Sequence, residues 1–191
     1  MNEKSESEDE DEDEIGKRVR RTFQLTNFCI ANIAAYRVNW KKVNGKSVPK
    51  IENDFWIRSN GAFFDMTVIE WCKLFADRDG KHHWSMTFQN KNEWLEKLLQ
   101  AMQMDFESYE VELLKVKKYR DKYAAHLDNP IEMNYPFTEF MLESACFLYD
   151  EFRKCEQTKI HLGGTYDTAH NFYAIMFEEY NQEIEIRLSH S

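Results

Sequence analysis

The stretch DFESYEVELLKVKKYRDKYAAH, residues 105–126, decides the fold. Projected at about 100° per residue, its Leu113, Val116, Tyr119, Tyr123 and Ala124 fall within one arc, together with the following Leu127. That arc is the core or interface face of an amphipathic helix. Arg120 lies inside the same arc. A guanidinium there either snorkels to solvent or takes a partner, because an unpaired buried charge is costly. Beside the arc runs a second stripe, Lys115, Lys118, Lys122 and His126, at i, i+3, i+7 and i+11. Five cations fall within residues 115–122. The helix is expected to stop before Asn129-Pro130, since the residue ahead of a proline resists α geometry.

The same reading extends in both directions. Residues 18–43 read as a first helix, apolar on most sides through Phe28, Ile30, Ile33, Ala34 and Val38, and such a helix should be largely buried. Asn44-Gly45 to Pro49 reads as a turn. Residues 54–77 carry Ile57, Phe64, Val68, Trp71, Cys72 and Phe75 at helical spacing. A loop over 81–89 holds His82, His83 and Trp84, whose rings should pack back. A third helix starts near Asn90, where Asn90 and Glu93 form a capping box. A fifth covers 136–157 and a last one 167–186, each with an apolar side. Only six glycines and three prolines punctuate the chain, which favours long helices over many short strands. The expectation is an all-α antiparallel helical bundle.

Composition limits the functional classes. The net charge of −9 is concentrated in residues 1–14, which hold nine acids against Lys4 and leave 24 basic and 25 acidic residues elsewhere. Such a run repels itself and buries nothing, so residues 1–16 read as a disordered acidic tail ahead of one domain over 17–191. The tail either solubilises the chain or covers the adjacent basic cluster of Lys17, Arg18, Arg20 and Arg21 in competition with nucleic acid. No apolar run reaches a membrane span, and the acidic start lacks a secretory h-region. Cys29, Cys72, Cys146 and Cys155 are scattered in apolar stretches without a C-x-x-C pair. They read as reduced thiols in a cytoplasmic protein with neither disulfide framework nor zinc site. A metal site from His82, His83, His161 or His170 with Asp65 or Asp167 has no H-E-x-x-H or comparable spacing behind it.

The segment Arg120-Asp121-x4-His126 resembles the R-x4-6-H motif of the HEPN superfamily, in which a polar residue commonly follows the arginine. The longer string from Tyr119 to Asp128 resembles the abortive-infection branch. So does the upstream region from Phe55-Trp56 to Phe75, with Phe64-Asp65, Trp71-Cys72-Lys73-Leu74-Phe75 and then His83-Trp84. The likeness covers roughly residues 20–155.

The resemblance implies a HEPN-like helical bundle that dimerises across its motif helices, so that two arginines and two histidines form one metal-independent endoribonuclease site. Positions i and i+6 stand about 120° apart on a helix, and a two-fold interface supplies the groups that one chain cannot aim. His126 would transfer protons, Arg120 would stabilise charge on the phosphate, and Asp121 would orient one of them. Lys115, Lys118 and Lys122 would hold the RNA backbone without reading sequence. Cleavage would leave a 2′,3′-cyclic phosphate and a 5′-hydroxyl and needs no cofactor. The resemblance further implies a toxin or phage-defence effector with a cognate antitoxin or sensor. The alternative is a non-catalytic module of the same fold that binds RNA, a nucleotide or a partner protein.

Overall fold

The computed structural model describes residues 3–124, 136–162 and 166–189, with side chains from residue 14 onward and, in the first of these segments, up to residue 122. The described chain is mostly helical with one two-stranded sheet. Helix α1 spans Glu3–Val38, followed by strands β1 (Trp40–Val43) and β2 (Lys46–Pro49). Helix α2 spans Asp54–Phe75, and a 3-10 turn covers Trp84–Met86. Helices α3 (Lys91–Ala101) and α4 (Phe106–Tyr119) lead into a π-helical turn, Arg120–Ala124. Helices α5 (Thr138–Lys154), α6 (Glu156–Lys159) and α7 (Ala169–Leu188) complete the order.

Helix α1 is the organising element and packs on α2, α5 and α7. Its Cys29, Ile30, Ile33 and Ala34 are fully buried, as expected for a segment apolar on most sides. Trp71 of α2 lies at the centre of the core, where it stacks on Phe75 at 4.9 Å. Its indole Nε1 donates to Ser144 Oγ of α5 at 2.8 Å, and that hydroxyl donates to the Phe140 carbonyl. The polar end of a buried tryptophan is thereby satisfied, avoiding a cost of about 1–3 kcal/mol. Trp84 stacks on Trp94 at 4.0 Å and closes the core beside α3.

Local chemistry accounts for the helix starts. Asn53, Asn90 and Asp105 each accept from a backbone N–H of the first turn of α2, α3 and α4, which satisfies donors that the helix cannot. At Asn90 half of the capping box forms: Glu93 N–H donates to Asn90 Oδ1, while the Glu93 carboxylate accepts from the Asn90 side-chain Nδ2 at 2.7 Å in place of the backbone N–H.

Four boundaries differ from the sequence reading. The first helix ends at Val38 instead of 43, because residues 40–49 form a hairpin whose register pairs Val43 with Lys46. Asn44 and Gly45 both take positive φ, 51° and 77°, the requirement of a two-residue type I′ turn. The acidic run, expected to be disordered, belongs to α1 from Glu3 onward. Glutamate is a good helix former, and extending a helix already nucleated by its packed downstream half costs little. The predicted helix to 126 changes to a π turn at Arg120, and the one over 136–157 breaks at Cys155 before α6.

Candidate functional site

Arg120 stands where α4 passes into the π turn. Single π turns inside helices are frequent at functional sites because they re-aim side chains. The Arg120 side chain is 18% exposed. Its Nη1 donates to both carboxylate oxygens of Asp77, at 2.7 and 2.8 Å. Its Nε donates to Asp121 Oδ1 at 2.9 Å. Burial works against the charged guanidinium, but the hydrogen bonds to Asp77 and Asp121 overcome it and raise the arginine above its ordinary pKa. No residue among those described accepts from Nη2. Arg120 is therefore a fixed cation with two of its three nitrogens committed.

Asp77 was not legible as a site residue. It follows the C-terminal cap of α2, where its N–H donates to the Cys72 carbonyl. The only signal in sequence was its place in Ala76-Asp77-Arg78-Asp79-Gly80, which reads as a helix stop. The turn it begins is tightened by a bond from Gly80 N–H to the Asp77 carbonyl at 2.7 Å. Arg78 in turn pairs with Glu110 of α4 at 2.7 Å. Beneath Arg120, burial pushes the Cys72 thiol up to about 12 although Arg120 pulls the other way. Such a thiol is inert as a nucleophile. Tyr119 donates its hydroxyl to Asp65 at 2.9 Å and fixes α4 against α2.

The expected site residues separate. Asp121 pairs with Arg120 at 2.9 Å. His126 lies outside the described residues. Lys115, Lys118 and Lys122 are exposed, and Lys115 pairs with Glu112 at 2.6 Å. At about 100° per residue, Lys115 and Lys118 point some 140–160° away from Arg120. Within one chain, the lysine stripe and the arginine thus serve opposite sides of α4. The cation on the arginine's side is Lys117, which lines a shallow cleft of about 560 Å³ with Asp77 and Asp79.

The remaining histidines are dispersed. His83 is buried, with Nε2 3.1 Å from the Phe75 carbonyl and Nδ1 2.8 Å from Ser85 Oγ. The pairing fits a neutral ring that donates from Nε2. Its pKa is lowered by burial, against the opposing bond to Phe75. His170 lies 3.6 Å from Glu143, and His161 sits against Gly16. Among the described residues, no three His, Cys, Asp or Glu side chains come together as a metal cage. No helix among them is long and apolar enough to cross a membrane.

Comparison with family models, with curated proteins and with solved structures finds no match to this chain.

Proposed function

We propose that the protein is a metal-independent endoribonuclease of the HEPN type, with a composite site formed by Arg120 and His126 of two copies of the chain. The observation that carries the reading is the setting of Arg120: a partly exposed guanidinium locked by Asp77 and Asp121 at a π turn that leads toward His126. A fixed cation of this kind stabilises charge that develops on a phosphate without reorganising first. Its Nη2 edge is the part left for that contact. The exposed Leu114 on α4, in the wall of the cleft that contains Asp77, supports a second copy on this side of the helix. On this reading one His126 takes the proton of the ribose 2′-hydroxyl as its oxygen attacks the adjacent phosphorus. The second copy's His126 protonates the departing 5′-oxygen. The products are a 2′,3′-cyclic phosphate and a 5′-hydroxyl, with no change in oxidation state. Such an enzyme would serve as a toxin or phage-defence effector under the control of a partner protein.

The test is cleavage of single-stranded RNA in EDTA, with chemical analysis of the new ends. Wild-type protein should yield cyclic phosphate ends, and His126→Ala and Arg120→Ala should each lose about 100-fold or more. Intact RNA with well-folded wild-type protein would overturn cleavage. One observation favours the second reading, a non-catalytic RNA-binding module: two carboxylates already neutralise Arg120. Under that reading RNA binds, no ends appear, and His126→Ala changes nothing.

A further inference from the structure

A second polar site lies on the other side of the turn that holds Asp77. A cleft of about 760 Å³ opens between the start of the described α1 side chains and residues 79–86. Lys17, Arg18 and Arg21 line it from α1, and Lys81 and His82 from the loop. Two carboxylates face these four fixed cations, Glu14 and Asp79. Glu14 is engaged by Lys17 at 3.2 Å. Arg18, Arg21 and Lys81 have no carboxylate within ion-pair distance among the described residues, and Arg21 donates only to the neutral Gln24 at 2.8 Å. Arg18 Nε and His82 Nδ1 are shielded from solvent and have no hydrogen-bond partner among the described residues.

In a body of nearly balanced charge, unpaired cations gathered around a cavity are a ready anion site. The behaviour of His82 supports the same sign of field. Its pKa is lowered by burial first and then by Arg21 and Lys73, with Lys81 adding to them against Glu70. Asp79 lines both this cleft and the smaller one that contains Asp77 and Lys117. A strand laid along the two would pass over the turn at 77–81 toward Arg120. The lysine stripe of α4 offers no such path within one chain, because it faces away.

We propose that the cleft between α1 and the 79–86 loop binds the phosphates of a single-stranded RNA, with Arg18, Arg21 and Lys81 as the phosphate contacts. The choice of RNA over a free phosphate compound rests on the function proposed above. The shared chemistry is a phosphate dianion or diester, held without base readout.

The test uses the full-length protein and a labelled 2′-O-methyl oligoribonucleotide, which has no attacking hydroxyl and stays intact. Affinity is measured across a salt series for wild type, Arg18→Ala/Arg21→Ala, Arg18→Lys/Arg21→Lys and Lys115→Ala/Lys118→Ala. The first double variant should bind about tenfold or more weakly, and the slope of log affinity against log salt should flatten by about 1.4, the value for two lost single-strand contacts. The lysine-for-arginine variant should keep the slope. The α4 variant should lose less. An unchanged affinity in Arg18→Ala/Arg21→Ala, with helical content intact by circular dichroism, would overturn the proposal. So would a larger loss in the α4 variant, or no binding by wild type of either the oligonucleotide or pyrophosphate. Pyrophosphate binding that Arg18→Ala/Arg21→Ala abolishes, without oligonucleotide binding, would retain the site and assign it to a free phosphate compound. The two proposals fail separately: groove-dependent binding without any cleavage of unmodified RNA leaves this one standing and removes the enzyme.

Discussion

Arg120 and Arg18 flank the same turn, yet their surroundings differ. Arg120 is held by carboxylates of Asp77 and Asp121. Arg18 lines an open cleft with Arg21 and Lys81 and has no carboxylate partner among the described residues. One guanidinium ties α4 to the end of α2. The other adds charge to a cleft in which four cations face two carboxylates. Similar residue types thus divide into a latch and an open contact according to what the fold brings beside them.

The comparison breaks most directly at Asp77. Asp77→Ala leaves the partly buried Arg120 with half of its partners and should cost about 1–3 kcal/mol, read by urea unfolding. Because the Asp77 side chain is 37% exposed, solvent screening favours the lower part of that range. Arg21→Ala, at an exposed position, should stay within about 0.5 kcal/mol of wild type. Equal losses in the two variants would erase the distinction. A double-mutant cycle on Arg120 and Asp77 sharpens it, with an expected coupling of about 0.5–2 kcal/mol.

A weaker effect concerns the two histidines of the adjoining loop. His82 and His83 both have lowered pKa values, with burial as the leading cause. The unfolded chain therefore takes up their protons at higher pH than the folded one. Stability that is complete above the ordinary histidine pKa should fall as pH drops below about 6.5. Thermal melts between neutral and mildly acid pH check this. His83→Gln should flatten the profile at the cost of a lower melting temperature at neutral pH. An identical pH slope in that variant would count against His83 as a source.

The smallest effect concerns the acidic run. Since it continues α1, its backbone recedes from the cleft by about 1.5 Å per residue. Glu10 stands roughly 12 Å along the axis from Arg18, beyond the screening length of about 8 Å at physiological salt. Removing residues 3–10 should therefore raise RNA affinity by less than about threefold at that salt and by more at low salt. A tenfold gain at physiological salt would mean that the tail covers the cleft.

Much of the architecture was legible because it depends on local periodicity. The apolar stripe of α2, the cap at Asn90 and the helix stop at residues 77–80 each involve residues within a few positions of one another. The hairpin was also local, since Asn44-Gly45 is a strong turn signal. It was obscured by Trp40 and Val43, whose apolar character continued the helical pattern of α1. The candidate site was less legible. Arg120 and Asp121 could be singled out from the motif, and the need for a partner to Arg120 followed from its position on the apolar face. Which acid would meet it did not follow, because Asp77 is 43 residues away.

The sequence by itself therefore determined a predominantly helical chain, the faces of its helices and the presence of a cation that must be satisfied. These follow from side chains that repeat with the helical period and from the cost of an unpaired buried charge. Only the tertiary structure decided that Asp77 satisfies that cation and that α1 and the 79–86 loop gather a second set of cations. Those outcomes depend on which distant segments pack together, and packing is set by the shape of the whole core around Trp71 rather than by any short stretch of chain.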